Sequence, residues 1–548
     1  MIATAKRRLA LWSRDVNLID RLHETASTSF HINFLDDGEE VQFSQLWDDA
    51  GRVSAWLRAH CETPAVGTVL DNSRGSVTCL LGAWRAGLRV ISLPAPPRGR
   101  GIGWYPAYLA DVCSHADVGL VVLDATYVSS MPSALGIEIF SHAHILDAAG
   151  TWAQLDLAGG RLVQFTSGST SDPKGVELSL DQVLANIEAI LAVVEPTPRD
   201  VPVSWLPLSH DMGLIGMLLA SIVAGGPSRM NGGKVVLLRP EKFMLRPMRW
   251  LQACSEFGGT FTAAPNFAFQ TTLAAAAKAR GPMDLTQLRV CITGAEPVKC
   301  TTLERFADRF ANFGFDSRSF CPAYGLAELA LAVTMVPPAE HWRSIAASAR
   351  HLDLDSVEPI EGGRCLVSSG SVLPGYAVQI GGESDVGPIS VDGPSLFRGY
   401  LGESRRDGPF LTGDVGFVRD GHLYVIGRAD DVAVIGGRKI WLADADAAIE
   451  GTGLVRPGRG ATVYSPDTGL VAVVELAPSA RSSRVVQEIA SAIALRTGAR
   501  PTSVVSIEKG ALPRTTSGKP KRSEIFRTIV RDSPSILEGA DTGHKERP

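Results

Sequence analysis

The chain has 548 residues, of which 45% are hydrophobic and 20% charged, with a formal net charge of −5. At roughly 150 residues per domain, that length predicts two to four units rather than one core. The balance excludes a disordered or collagenous chain, and the lack of a basic field argues against nucleic acid as a partner.

The eight cysteines, at 61, 79, 113, 254, 291, 300, 321 and 365, form no C-x-x-C pair. Several sit in apolar contexts, which predicts reduced core residues, a reducing cytoplasm and no metal. The N-terminus is basic, but only Leu9 to Trp12 follows as an apolar run before Ser13, too short for a signal peptide. No run reaches the ~20 apolar residues of a membrane span, so the expected location is cytoplasmic.

In chain order, Val16–Leu57 reads as helical around a short strand pair, with an Asp37-Gly38 turn signal. Val66–Leu70, Leu88–Leu93 and Val118–Leu123 read as strands, with an apolar helix at Ser76–Ala86. Strands alternating with helices in this way predict βαβ units and a largely parallel sheet. An apolar strand at Leu162–Phe165 runs into a loop of Thr166, Ser167, Gly168, Ser169, Thr170 and Ser171, closed by Pro173, Lys174 and Gly175. Backbone N–H groups, hydroxyls and one mobile cation in a single concavity suit a polyphosphate. The spacing is not that of a Walker A loop, and a flexible Ser/Gly linker is the competing reading.

A helix over Asp181–Val194 follows, with Asp181 at the cap position. In Val203–Ile215 a Ser-His-Asp set (Ser209, His210, Asp211) interrupts a Trp/Leu-rich pattern, which marks a strand end at a cleft. His210 reads equally as an ordinary histidine and as a functional one. Gln287–Pro297 is a buried strand running into the turn Gly294-Ala295-Glu296, where small side chains admit a flat ring. Tyr324 and Glu328 stand four apart around a glycine, offering a stacking face and a hard oxygen ligand for Mg²⁺; a core tyrosine and a solvated glutamate are the alternative.

Residues 337–359 read as a polar, strand-poor surface insertion. Period-2 patterns then predict a small antiparallel β subdomain, including a hairpin around Asp420-Gly421 in which Asp414 and Arg428 could fix a ribose diol. Beyond Arg428 a charged, glycine-bearing connector leads into helices at Leu442–Ile449 and Ser483–Arg496 and strands near Ala461–Tyr464, Val471–Glu475 and Ser503–Ile507. A basic loop, Leu512 to Arg522, closes that unit.

Taken together, Thr166–Gly175, Gly294–Glu296, Tyr324–Glu328, Thr412–Asp414, Gly427–Asp431 and Pro513–Lys519 resemble the motifs of the adenylate-forming (acyl-activating) enzyme superfamily, in order and across nearly the whole chain. Trp205–Leu214, Gly294–Val333 and Leu366–Gly375 look like those of fatty acyl-AMP ligases. Two positions depart from that subfamily: Ser209 stands where an aromatic residue is usual, and Asp430 where a lysine is common.

The resemblance implies an α/β fold. Its parts would be a large N-terminal domain of βαβ-type sheets at 1–427, with a small antiparallel β subdomain at about 362–427, then a hinge at 428–431. A small mobile α+β C-terminal domain at 432–536 and a disordered tail at 537–548 would follow. It also implies ATP and Mg²⁺ as cofactors, a fatty or other carboxylic acid as substrate, and an acyl carrier protein or CoA as acceptor. The family pattern puts the phosphates on Thr166, Ser167, Gly168, Ser169, Thr170 and Lys174, Mg²⁺ on Glu328 and adenine between Tyr324 and Gly294-Ala295-Glu296. The ribose falls to Asp414 and Arg428, with Asp430 as hinge. Catalysis falls to Lys519, Glu328 and His210, with His210 bordering the carboxylate pocket. Chain length of the acid, acceptor and oligomeric state are not legible. A retained fold acting only as a nucleotide or acyl sensor is the alternative from another class.

Overall fold

The computed structural model describes residues 16–531 except 95–104, 130, 132–135, 151–158, 166–173, 277–280, 348–356, 359, 361–362, 437, 479, 481–483 and 515–519. The expected tail at 537–548 therefore lies outside the described residues. Two parallel-rich sheets form the bulk of the chain. The first orders its strands as Glu138–Ser141, Val118–Leu123, Ala65–Val69, Arg89–Leu93, Arg161–Phe165 and Gly175–Ser179. The first five run parallel and the last returns antiparallel. Continuous Val/Leu/Ile runs suit strands covered on both faces, and Ala65–Val69 is buried at every position.

The second sheet pairs Phe261–Ala264, Val290–Thr293 and Phe320–Gly325 in parallel, then Ala332–Met335 and Ser371–Val372 antiparallel. A bridge between Pro202 and Phe261 connects it to a smaller sheet containing His31–Phe34, its hairpin partner Glu39–Gln42, Lys234–Leu237 and Val203–Ser204. Asn186, on the helix Leu180–Val194, staples that helix to the second sheet. Its side-chain amide donates to Ala332 O at 2.7 Å and accepts from Ala332 N at 3.0 Å, fully buried.

The expected antiparallel subdomain is present as Ala377–Ile380, Gly387–Asp392, Phe410–Arg419 and His422–Arg428. Past the turn Ala429–Asp431, a hairpin (Val432–Ile435 with Arg438–Trp441) leads to a three-stranded sheet flanked by helices Leu442–Gly451 and Val485–Thr497. Trp441 packs with Leu366, Phe417, Tyr424 and Ile426, so the hairpin shares a core with the antiparallel subdomain. Farther out, Arg364 pairs with Asp444 at 3.0 Å and Lys299 with Glu450.

Three expectations are corrected. The helix Leu180–Val194 is capped by Ser179, not Asp181: the Ser179 hydroxyl accepts from Gln182 N while the Gln182 side chain accepts from Ser179 N. That reciprocal pair satisfies two otherwise orphaned donors, and Asp181 sits in the first turn. The 337–359 segment holds a strand, Ser344–Ala347, paired antiparallel with Arg364–Val367. The cysteines are not all reduced: Cys300 and Cys365 form a disulfide, whereas Cys61, Cys79, Cys113, Cys254, Cys291 and Cys321 are free thiols.

Replacing Asn186 with alanine leaves the buried N–H and C=O of Ala332 unpaired, so a loss of about 2–4 kcal/mol is expected. Equilibrium urea denaturation checks it, through a lower midpoint at unchanged slope.

Candidate active site

The expected phosphate-binding residues Thr166, Ser167, Gly168, Ser169 and Thr170 lie outside the described residues, but the chain that follows them is defined. Lys174 precedes the strand Gly175–Ser179, and Val176 bridges Tyr400 antiparallel while Leu401 N donates to Gly175 O at 2.7 Å. Tyr400 thereby comes to stand between two predicted site residues. Its hydroxyl donates to Glu328 Oε1 at 2.8 Å, and Lys174 Nζ lies over its ring at 4.7 Å from the centroid. Lys174 also approaches Glu403 at 3.9 Å.

Glu328 follows the strand Phe320–Gly325 on a single tight turn, Ala327–Leu329, and is 8% exposed. The sharp return of the chain there requires Gly325, where a Cβ would sit 1.7 Å from Leu331 O. Burial pushes the Glu328 carboxyl above the usual range. The Tyr400 hydrogen bond and the Arg428 charge oppose that shift, and the charge of Asp211 adds to it. One carboxylate therefore senses both the His210-Asp211 loop and Arg428. A buried carboxylate bonded to a neutral hydroxyl, with an acidic neighbour, fits a bound divalent cation.

Tyr324 donates its hydroxyl to Asp414 Oδ2 at 2.7 Å. Burial and the Asp414 charge hold its phenol well above the ordinary value, so it stays a donor. Asp414 and Arg428 face each other across the Phe410–Arg419/His422–Arg428 hairpin, with their charged groups 3.8 Å apart. Thr412 supports both, as its Oγ1 accepts from Asp414 N at 3.0 Å and its carbonyl from Arg428 Nη1 at 3.3 Å.

His210 Nδ1 is 2.5 Å from Asp211 Oδ1, and the Asp211 carboxylate also accepts from Met212 N at 2.7 Å. They head a wide π-type helical stretch, Met212–Leu219, that continues into the helix Ala220–Ala224. Gly213 makes this entry possible, because a Cβ there would lie 2.3 Å from Pro207 O. Of the apolar residues near the motifs, Met217 and Phe269 are fully buried core.

In the Gly294-Ala295-Glu296 turn, a Cβ on Gly294 would approach Ala323 O to 2.6 Å, and Ala295 has φ of 64°. The Glu296 side chain is already engaged, accepting from Phe267 N at 2.5 Å at the start of the helix Asn266–Ala276. What the turn offers a flat ring is therefore its backbone. Lys519 lies outside the described residues. The residues at either side of its loop, Arg514 and Pro520, form an antiparallel bridge, and Arg514 feels the charge of Glu296. Asp430, the expected hinge, is 70% exposed and lies 3.9 Å from Arg428.

Residues 22–401 match the AMP-binding enzyme family. The chain belongs to that family. Its relatives include proteins named long-chain-fatty-acid–AMP ligases. FadD26 of Mycobacterium marinum is 31% identical, over 94% of this chain and 96% of its own. JamA of Moorena producens, a medium-chain-fatty-acid–[acyl-carrier-protein] ligase, is 30% identical over 90% of each chain. A solved structure from studies of fatty acyl-adenylate ligases of E. coli and L. pneumophila superposes with a TM-score of 0.83 at 27% identity, covering 95% of this chain and 99% of that one. The α/β fold, with its large N-terminal part and smaller C-terminal part, is thus that of this enzyme family.

Sequence reasoning missed Tyr400. Tyr400→Phe keeps the ring beneath Lys174 but removes the donor to Glu328. ATP–pyrophosphate exchange is expected to fall about tenfold or more, the scale of one hydrogen bond to a charged group. Because that bond lowers the Glu328 pKa, the acid limb of the exchange–pH profile is expected to move to higher pH. An unmoved limb would count against the positioning role.

Proposed function

We propose that this enzyme activates a fatty acid with ATP, giving acyl-AMP and pyrophosphate, and then passes the acyl group to the phosphopantetheine thiol of an acyl carrier protein in the cytoplasm. The observation that carries the reading is the Lys174–Tyr400–Glu328 contact, which puts a phosphate-loop cation and a desolvated carboxylate on one side chain. The relatives' fatty-acid and carrier-protein chemistry supports the substrate class and the acceptor.

In the first step a carboxylate oxygen of the acid bonds to the α-phosphorus as the α–β bridge breaks, and pyrophosphate leaves. In the second the thiol sulfur bonds to the acyl carbon, AMP leaves and the thiol proton goes to solvent. Lys174, with Thr166, Ser167, Gly168, Ser169 and Thr170, holds the β- and γ-phosphates. Glu328 holds Mg²⁺, which when bound neutralises phosphate charge. Tyr324 and the Gly294-Ala295-Glu296 turn bracket adenine. Asp414 and Arg428 hold the ribose, His210 borders the acid's carboxylate, and Lys519 meets the oxygens between carboxylate and α-phosphate.

Asp430 acts as the hinge about which the C-terminal unit, from 432 to 536, turns between the two steps.

A Lys519→Ala variant is expected to lose about 10²–10³-fold in pyrophosphate exchange, the scale of one preorganised donor. Undiminished exchange would remove Lys519 from the reaction. Purified protein given radiolabelled fatty acid, ATP and either holo-carrier protein or CoA is expected to form the carrier thioester. A CoA thioester alone would make it an acyl-CoA ligase. Asp430→Pro is expected to spare exchange while suppressing thioester formation; equal loss of both would argue against alternation.

A further inference from the structure

Far from the nucleotide site in sequence, the first sheet ends in a second cluster of titratable groups. Asp71 follows the strand Ala65–Val69, Asp124 follows Val118–Leu123, and His142 follows Glu138–Ser141. These three strands are adjacent and parallel, so all three residues emerge at the same carboxyl edge, where open α/β sheets bind ligands. One potential donor atom from each lies within 4.8 Å of the others.

Two features set this cluster apart from a chance meeting of acidic side chains. Each carboxylate spends one oxygen on its own turn: Asp71 Oδ1 accepts from Ser73 N at 3.0 Å, and Asp124 Oδ1 accepts from Thr126 N at 2.9 Å. The bonds fix the carboxylates in place and leave the second oxygens for the cluster. More telling is His142. It is only 5% exposed, and its Nε2 is buried without a hydrogen-bond partner among the described residues. A buried imidazole nitrogen left unpaired costs free energy, yet the fold makes room for this ring. Gly75, in the first turn of the helix Arg74–Arg85, is where a Cβ would press on His142 Cβ at 2.8 Å.

Charge agrees. Arg239 is the nearby cation; Asp37 accepts from one of its guanidinium nitrogens at 2.7 Å and its backbone N–H donates to Asp36 at 2.7 Å, while its charge also reaches Asp71 and Asp124. One arginine shared among Asp37, Asp71 and Asp124 leaves the cluster with more carboxylates than cations, an imbalance that a divalent ion offsets.

We propose that Asp71, Asp124 and His142 form a divalent transition-metal site, separate from the nucleotide-binding Mg²⁺. A mixed set of two carboxylates and one imidazole favours Mn²⁺ or Zn²⁺ over Mg²⁺ or Ca²⁺, which take oxygen donors. Bonds of ~2.0–2.2 Å require the donors to draw together by ~1 Å, within reach of side-chain rotation. The site is structural. It ties together three strand ends beside Asn72, whose side chain donates to Leu206 O at 3.0 Å and Leu238 O at 2.7 Å and accepts from Leu208 N at 3.1 Å. Those bonds hold the segment that leads to His210.

The test uses full-length, tag-free protein, stripped with chelator, desalted and titrated calorimetrically with MnCl₂ or ZnCl₂ in the absence of ATP. One ion per chain is expected, with a higher melting temperature on binding. Asp124→Asn and His142→Gln should each weaken binding about tenfold or more, while Glu328→Gln should leave it unchanged. Asn caps the following turn as well as Asp does, so Asp124→Asn decides the matter even if His142→Gln fails to fold. No binding up to about 1 mM ion, unchanged affinity in Asp124→Asn, or loss of binding in Glu328→Gln would overturn the proposal.

Discussion

The site depends on one antiparallel contact, the bridge between Val176 and Tyr400 with its companion bond from Leu401 N to Gly175 O. Lys174 belongs to the edge of the first sheet, and Glu328 to the turn after a strand of the second. No secondary structure shared by the two sheets would bring these side chains together. The segment leading to Tyr400 provides the link: Phe397 N donates to Glu328 O at 2.7 Å, and three residues later the chain docks on Val176. Tyr400 can serve both partners because a phenol has two distinct surfaces. Its ring face attracts a cation and its hydroxyl donates in the ring plane. Phenylalanine would satisfy only the lysine.

Much of this was legible in the sequence, for reasons that differ by element. Buried parallel strands such as Val118–Leu123 announce themselves because both faces are apolar. The hairpin around Asp420-Gly421 is legible because two residues must take positive φ, at 51° and 77°. The turn alone would set Asp414 opposite Gly427; a bulge between Val415 and Gly416 shifts the register by one and brings Asp414 opposite Arg428, a shift the turn does not announce. Tyr400 was not legible: nothing local distinguishes an aromatic residue whose two contacts come from distant strands. The cap was a different kind of miss. Ser179 and Asp181 are both good capping residues, but only Ser179 has a glutamine three positions on, and that signal was present. The Cys300–Cys365 disulfide joins positions 65 residues apart, a separation that carries no spacing rule. The short strand Ser344–Ala347 is too brief for alternation to stand out.

Electrostatics divide the labour between the two ends of the C-terminal unit. Near the turn Ala429–Asp431, contact is apolar, through Trp441 in the core of Leu366, Phe417 and Ile426. Farther out, the helix Leu442–Gly451 is held by charge, with Asp444 on Arg364 and Glu450 on Lys299. Lys299 and Glu450 are partly exposed, and such pairs contribute little each because water and salt screen them. Arg364–Asp444, by contrast, is buried, so of the two charged contacts Lys299–Glu450 is the one that separates at least cost if the C-terminal unit turns as proposed.

If the C-terminal unit turns at Asp430 as proposed, the residues on either side bound the moving segment. Arg428 belongs to the antiparallel subdomain, in register with Asp414. Asp431 belongs to the other side, because Arg522 bonds it at 3.0 Å while also bonding Asp446 at 2.7 Å and Thr462 O at 2.6 Å. Arg522 is largely buried and its other two partners, Asp446 and Thr462, lie beyond the turn, so in the proposed rotation Asp431 would travel with them; breaking that cluster would leave a buried guanidinium uncompensated. Between these two fixed residues only Ala429 and Asp430 remain to absorb a change of backbone angle. Asp430 is solvent-exposed and, among the described residues, its charged contact is a 3.9 Å approach to Arg428, so its side chain opposes rotation little. The proposed hinge is thus bounded by how tightly its neighbours are held, whichever residue type occupies its centre.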